Sequence, residues 1–266
     1  MFCKICENKS VEIFTEKILN KYQVKYFQCT DCKFIQTEEP YWLSEAYQNA
    51  IAKLDIGLIW RNLNFSKTVE KIIKKSFNVH GRFLDYGGGY GMFVRMMRDK
   101  GFDFYRQDLY CENLFAQFFD IDDLEATGIF ELVTAFEVFE HVLNPVEELT
   151  KILKYSDNIL FSTELQPNES SNPSNWWYFV PMTGQHISLY SKRSLERLAS
   201  KFNLNFYSDN FGMHLLAKYK LKKHPFQRPN RRLWDIIIRD RKETHLKSLL
   251  MKDFEYVKGR LGVNEL

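Results

Sequence analysis

Between positions 83 and 93 the chain reads Phe-Leu-Asp-Tyr-Gly-Gly-Gly-Tyr-Gly-Met-Phe: a short apolar run broken by an acid, four glycines within five residues, then a second apolar stretch. Few folds accommodate that order. Glycine lets a chain leave a strand sharply and lets backbone approach a ligand that a Cβ would obstruct, which is the strand-to-helix turn of a ligand-binding α/β sheet. Asp85 at the strand end is placed to reach an amino group on the ligand, and Gly87, Gly89 and Gly91 leave space beside it.

The surrounding sequence supports that frame. Short apolar runs at 82–86, 103–107, 132–136, 158–162, 205–207 and 213–217 alternate with helical stretches, as in a parallel sheet covered by helices. The last two, following a helix at 192–202, are expected to form an antiparallel edge hairpin. A third strand is poorly marked within 118–123. About twenty residues beyond the glycines, Gln107-Asp108 ends the second strand, where an acid accepts hydrogen bonds from ribose hydroxyls. Adenosine and NAD share that ribose, so a nicotinamide-dependent oxidoreductase stands as an alternative at this point.

The segment from Phe130 to Pro145, Phe-Glu-Leu-Val-Thr-Ala-Phe-Glu-Val-Phe-Glu-His-Val-Leu-Asn-Pro, separates the two. Placed after the glycine turn and the ribose acid, it resembles the fourth-strand motif of class I S-adenosylmethionine-dependent methyltransferases, over 81–218, half of the chain. The resemblance implies a Rossmann-like seven-stranded α/β domain with S-adenosylmethionine across the carboxyl ends of its first strands. Asp85, Gly87, Gly89, Gly91, Asp108 and Glu137 would line the donor, with an adenine contact from Phe119, Asp120 or Asp122. Glu140-His141 would open the helix below the site.

Four of five cysteines form two Cys-x-x-Cys pairs, Cys3/Cys6 and Cys29/Cys32; Cys111 stands alone. In a reducing compartment such pairs are held as thiolates by a metal more often than as disulfides. Residues 1–41 are therefore read as a zinc ribbon with a short strand at 24–28, too small to fold without its metal, and four thiolates leave no open position for catalysis, so the Zn2+ is structural. A helical connector occupies 42–80, with apolar residues at Ile56, Ile59, Trp60 and Leu63, then Val69, Ile72 and Ile73.

Methyl transfer to an oxygen or carbon acceptor needs a base. After the fifth strand, where such enzymes build the acceptor pocket, runs Trp176-Trp177-Tyr178-Phe179-Val180-Pro181-Met182-Thr183-Gly184-Gln185-His186. His186 is the candidate catalytic base, an ordinary imidazole pKa of roughly 6.5 suiting proton transfer near neutrality. The stretch is similar to one in zinc-containing sugar methyltransferases, which also carry a four-cysteine N-terminal domain. That likeness implies a small, carbohydrate-like acceptor, a nucleotide sugar or surface-glycan precursor, and places His186 at the family's catalytic histidine. Thr183, Gly184 and Gln185 stand where that family has Tyr, His and Glu. His141 is expected to cap or pack, and Trp176, Trp177 and Tyr178 to wall an acceptor ring or to pack.

Residues 219–266 form a basic, helical C-terminal segment carrying Lys220, Lys222, Lys223, Arg228, Arg231 and Arg232. A zinc-ribbon nucleic-acid-binding protein would use that run, yet the net charge of +3 is mild and the ribbon lacks a dense basic cluster, so a solvated linker is expected. No apolar run approaches the roughly 20 residues of a membrane span and no signal peptide is evident, so a cytoplasmic protein is expected.

Overall fold

In the computed structural model, residues 1–47, 55–125, 128–167, 173, 176–227 and 246–261 are described. Arg228, Arg231 and Arg232 of the basic run lie outside them.

The glycine turn sits where its sequence puts it, at the end of strand β4 (Arg82–Tyr86). This strand is the second of a six-stranded sheet ordered β5 (Asp103–Gln107), β4, β6 (Leu132–Ala135), β7 (Asn158–Ser162), β10 (Met213–Ala217), β9 (Asn205–Ser208). β5, β4, β6 and β7 run parallel, and β10 runs antiparallel to both its neighbours. Phe83, Leu84, Leu132, Val133, Ile159 and Leu160 are almost wholly buried, since helices cover both faces and leave no polar side for alternation to mark.

The expected seventh strand is reduced to a single parallel bridge, Arg106 to Asp120. Asp120 accepts hydrogen bonds from the Arg106 guanidinium and caps a 3-10 turn at Ile121–Asp123, which ends the extended backbone after one residue. β6 likewise stops one residue short of 136: Phe136 turns onto Phe65 and Phe93, and Glu137 enters the left-handed region at φ 52°.

Helix α2 (Leu58–Ser76) explains a sequence pattern that pointed two ways. Val69, Ile72 and Ile73 bury against the sheet, whereas Ile59, Trp60 and Leu63 are exposed. At 100° per residue the two triplets lie roughly 130° apart around the helix axis, so they never formed one stripe. Helices α3 (Met92–Asp99), α4 (Pro145–Ile152) and α5 (Lys192–Lys201) complete the layers. The Asn144 side chain caps α4 at the amides of Val146 and Glu147, and Ser191 with Ser194 forms a capping box on α5. The C-terminal helix α6 (Leu250–Arg260) is tied to α3 by Asp253, whose carboxylate accepts from Arg98 at 2.8 and 2.9 Å.

The N-terminal unit is built from β1 (Ser10–Ile18), β2 (Tyr22–Cys29) and β3 (Ile35–Thr37), with the short helix α1 (Leu43–Ala46) after them. β1 was invisible in the sequence because it is largely exposed and its side chains show no clean alternation. The ribbon is not self-contained. Its fourth strand, β8 (Ser188–Leu189), arrives from 150 residues downstream and pairs antiparallel with β3, Gln36 opposite Ser188 and Ile35 opposite Leu189.

Three further bonds seat the ribbon on the loop before β8. The Trp42 indole donates to Gly184 O at 2.8 Å, Leu19 N–H to Pro181 O at 3.1 Å, and the Gln185 amide to Ala46 O at 3.0 Å. Gly184 has φ 67°, and a Cβ there would come within 3.0 Å of Ile18 and Leu19 and 3.2 Å of Trp42. Gly184→Ala is therefore expected to cost about 2–4 kcal/mol through backbone strain and overpacking. A lowered thermal midpoint, with hydrogen exchange accelerated at β3 and β8 but not at β4, would record that loss.

Candidate functional site

One cleft of about 1440 Å³ runs along the carboxyl ends of β4, β5 and β6 to the loop that carries the ribbon. Pockets for a single drug-sized ligand span roughly 300–1,000 Å³, so this one has room for a donor and an acceptor. Asp85, Gly87, Gly89, Asp108 and Glu137 line one stretch of it, and His141, Trp177, Tyr178 and His186 another. Gly91 does not line it. Its φ of 83° opens α3, and a Cβ would strike Asn113 Oδ1 at 2.5 Å, so its role is to let the Asn113 loop close on the turn.

The glycine turn is held from both sides. Gly87 N–H and Gly88 N–H donate to Gln107 O at 2.8 and 3.2 Å, and Gly89 N–H donates to Asp108 Oδ2 at 2.9 Å. Asp108 Oδ1 accepts from the amides of Tyr110 and Cys111, both at 2.8 Å. Both oxygens of Asp108 thus organise the loop, and free acceptor capacity remains on Oδ2 for a ligand hydroxyl. Arg106, buried on β5, staples the two loops by donating to Gly89 O and to Cys111 O. Sequence reading missed Arg106; its position at an inward point of β5 was the available signal.

Asp85 is buried beneath the turn and accepts from Thr134 Oγ1 at 2.6 Å. A Cβ at Gly88 would lie 2.8 Å from Asp85 Oδ2, so glycine is needed there also. Burial, with a smaller contribution from the charge of Asp108, pushes the Asp85 carboxyl up to about 7. A cationic ligand group beside it would restore the ionised form.

Glu137 is bonded to Ser162 twice: its N–H donates to Ser162 Oγ at 2.8 Å, and the hydroxyl donates to Glu137 Oε1 at 2.6 Å. Arg61, from α2, approaches Glu137 Oε2 at 3.9 Å and pairs with Asp55 at 2.6 Å. Burial and the neighbouring Glu140 raise the Glu137 carboxyl to about 7. Arg61 is a site residue that the helical pattern alone could not single out.

Glu140 and His141 do not open a helix. They close a 3-10 turn at Phe139–His141, and α4 begins four residues later at Pro145. Glu140 is fully buried, accepts from the Tyr178 hydroxyl at 2.5 Å, and is pushed up to about 7 chiefly by burial. His141 Nδ1–H donates to Gln185 O at 3.1 Å, the tautomer that leaves Nε2 with its lone pair open. His186 Nδ1–H donates to Tyr178 O at 2.6 Å in the same way. The two rings meet edge to face with centroids 5.0 Å apart. His141, expected to cap or pack, lines the same cleft as His186.

His186 does not have the ordinary imidazole pKa that its sequence suggested. Burial, and next the proximity of His141, push it down to about 3, so the ring is neutral throughout the physiological range instead of titrating near 6.5. The adenine expectation also changes. Phe119, Asp120 and Asp122 do not line the cleft: Phe119 packs beneath the Arg98 guanidinium and Asp120 pairs with Arg106. Exposed Leu109 and Tyr110 border the donor stretch instead. Of the three aromatics, Trp177 and Tyr178 face the cleft, while Trp176 packs with the ribbon core.

At the ribbon, the four sulfurs lie within 4.8 Å of one another, with Cys3–Cys32, Cys6–Cys29 and Cys6–Cys32 at 3.6, 3.4 and 3.5 Å. These separations exceed a disulfide bond of about 2.05 Å and approach the edges of about 3.8 Å that a tetrahedral ion with 2.3 Å bonds to sulfur requires. The amides of Ile5 and Cys32 point at Cys3 and Cys29 Sγ, both at 3.4 Å, as donors that suit thiolates. The cluster fits a four-coordinate metal ion.

A sequence profile described as a methyltransferase domain matches residues 59–208. The chain belongs to that family. It is accordingly an S-adenosylmethionine-dependent methyltransferase of α/β architecture. No curated protein matches the sequence. Among solved structures it is similar to the plantazolicin methyltransferase BpumL in complex with S-adenosylhomocysteine, at 13% identity over 60% of this chain and 84% of that one, TM-score 0.43. It is also similar to an O-methyltransferase family 2 protein from Planctomyces limnophilus in complex with apigenin, at 10% identity over 68% of this chain and 62% of that one, TM-score 0.47. The mitomycin 7-O-methyltransferase MmcR aligns at 12% identity over 66% and 59%, TM-score 0.41.

Were the donor's amino group seated against the buried Asp85, binding would require that carboxyl to ionise. Below about pH 7 ionisation consumes binding free energy, so affinity for S-adenosylhomocysteine, which keeps the amino group, is expected to weaken toward a limit of about tenfold per pH unit. Calorimetric titration between pH 5.5 and 8.5 reads this directly. Asp85→Asn should bind more weakly at pH 8 and show a flat profile; a wild-type affinity indifferent to pH would dissociate Asp85 from the donor.

Proposed function

We propose that this methyltransferase moves the methyl group of S-adenosylmethionine to a small, carbohydrate-like acceptor seated between Trp177, Tyr178 and the His141–His186 pair. The supporting observation is the joint one: the cleft that holds the glycine turn over Asp85 is also lined by the imidazole of His186, whose Nδ1 is tied to Tyr178 O. The donor supplies a sulfonium methyl, electrophilic without further activation. Asp85, Asp108 and Glu137, with the backbone of Gly87 and Gly89, hold its cationic and ribose parts, while Gly91 shapes the turn. His186 receives the acceptor's proton on Nε2 as the acceptor atom bonds to the methyl carbon and the carbon–sulfur electron pair returns to sulfur. Tyr178 O holds Nδ1–H and so fixes the tautomer that keeps Nε2 available.

The acidic cleft favours this donor over a nicotinamide dinucleotide. Asp55, Asp85, Asp108, Glu137, Glu164 and Asp209 line it against the basic Arg61 and Lys151. A pyrophosphate needs backbone amides free to receive it, whereas those of Gly87, Gly88 and Gly89 are taken by Gln107 and Asp108. The same surplus of carboxylates favours an acceptor whose bound part is phosphate-free, such as the sugar of a glycan precursor or the sugar end of a nucleotide conjugate. The ribbon cysteines are assigned a structural Zn2+, which sets β3 and through it the loop carrying His186.

His186→Ala is expected to leave S-adenosylhomocysteine affinity within about twofold and to lower kcat at least about 100-fold, the ordinary contribution of a positioned acid–base group. The assay is methyl transfer from labelled donor to a panel of sugars and nucleotide sugars. Undiminished turnover in the variant removes His186 from the chemistry, and donor binding without transfer to any sugar removes the acceptor class.

A further inference from the structure

Glu140, His141 and His186 each present one ligand atom within 4.8 Å of the others, apart from the ribbon cysteines the sole such group of histidine, cysteine and acidic side chains among the described residues. Their arrangement carries features that proton transfer does not require. Both histidines give Nδ1–H to a backbone carbonyl, Gln185 O and Tyr178 O, which leaves Nε2 of each as the nitrogen able to bind an ion. This outer bonding orients metal-ligating imidazoles and raises their basicity toward the ion. Glu140 Oε1 accepts from Tyr178 and stands 4.0 Å from His141 Nε2. Glu140 Oε2 is buried, and although Thr163 is near enough to influence it, neither Oε2 nor Thr163 Oγ1 makes a hydrogen bond of good geometry.

We propose that His141 Nε2, His186 Nε2 and a Glu140 carboxylate oxygen form a site for a divalent first-row transition-metal ion at the acceptor end of the cleft. Two imidazoles and one carboxylate suit Zn2+, Co2+, Ni2+ or Fe2+ over Mg2+ or Ca2+, which prefer all-oxygen shells. Bonds of about 2.1 Å place tetrahedral ligand atoms about 3.4 Å apart, so side-chain movements of no more than about 1.4 Å close the set from 4.8 Å. Both histidines line the cleft, which leaves coordination positions open to a ligand within it. An acceptor with adjacent oxygens, as a sugar diol has, would complete the shell. Arg61, the cation of this region, is already paired with Asp55 and near Glu137. The inference rests on the acceptor reading above and deepens it: an ion on Nε2 and a proton on Nε2 exclude each other, so occupancy decides how His186 acts on the acceptor.

The test uses the full chain with its ribbon loaded with one equivalent of Zn2+, titrated with Co2+ and followed by visible absorption and metal analysis. One further equivalent is expected, with ligand-field bands of a nitrogen and oxygen shell and without thiolate charge-transfer bands. It should be lost in His141→Ala and in His186→Ala, each shown to be folded by unchanged S-adenosylhomocysteine binding, and His141→Gln serves if the alanine variant fails to fold. Absence of a second equivalent in the wild type, thiolate bands alone, or a second equivalent undiminished in both variants overturns the site. A chain that binds S-adenosylhomocysteine and methylates a sugar but takes no Co2+ loses only the metal, whereas one that takes Co2+ but transfers no methyl group loses the acceptor reading instead.

Discussion

Two residue pairs of antiparallel backbone, β3 against β8, hold the two halves of this molecule in one arrangement. β8 begins two residues after His186, so the register of that pairing sets where the imidazole stands, because a slip of one residue in a strand exchanges its two faces. The ribbon behind β3 is too small to supply a core of its own: Trp42 packs with Phe179 and Ile187, and Cys3, Ile5, Cys29, Cys32 and Phe34 join the core formed with β4, β6 and β7. Ser191 Oγ donates to Cys32 O and the Gln166 amide donates to Lys33 O, so the second Cys-x-x-Cys turn is bonded directly to the chain on either side of the acceptor loop. The four-cysteine cluster and the acceptor loop are mechanically one object.

Gly184 and Gln185 both face the ribbon: Gly184 O receives the Trp42 indole, and the Gln185 side chain donates to Ala46 O while its carbonyl orients His141. Glu140, on the turn after β6, brings a carboxylate to the histidine pair.

The donor half differs in character. Asp85 and Glu137, both raised toward neutrality by burial, sit in a cleft rich in carboxylates. In a low-dielectric site such a cluster is costly until a cation enters. A sulfonium or ammonium ligand would relieve that cost, and a polyanion would add to it. Arg106 is used internally to bind the Gly89 and Cys111 carbonyls together, and so is not available to attract phosphate.

The positions of the strands in the six-stranded sheet, the glycine turn and the four-cysteine cluster were legible from residues because each is encoded within a short window: alternating apolar runs, turn chemistry that only glycine tolerates, and cysteines paired across two intervening residues. The exposure of Ile59, Trp60 and Leu63, the truncated third strand, the Arg61 contact and the His141–His186–Glu140 cluster were not, because each depends on segments brought together from distant positions. Trp42 and Gly184 are 142 residues apart in sequence and one hydrogen bond apart in space. Local propensity carries no record of that distance; only close packing of the completed sheet against the ribbon decided which nitrogen, carboxylate and hydroxyl would share the cleft, and burial then set their protonation.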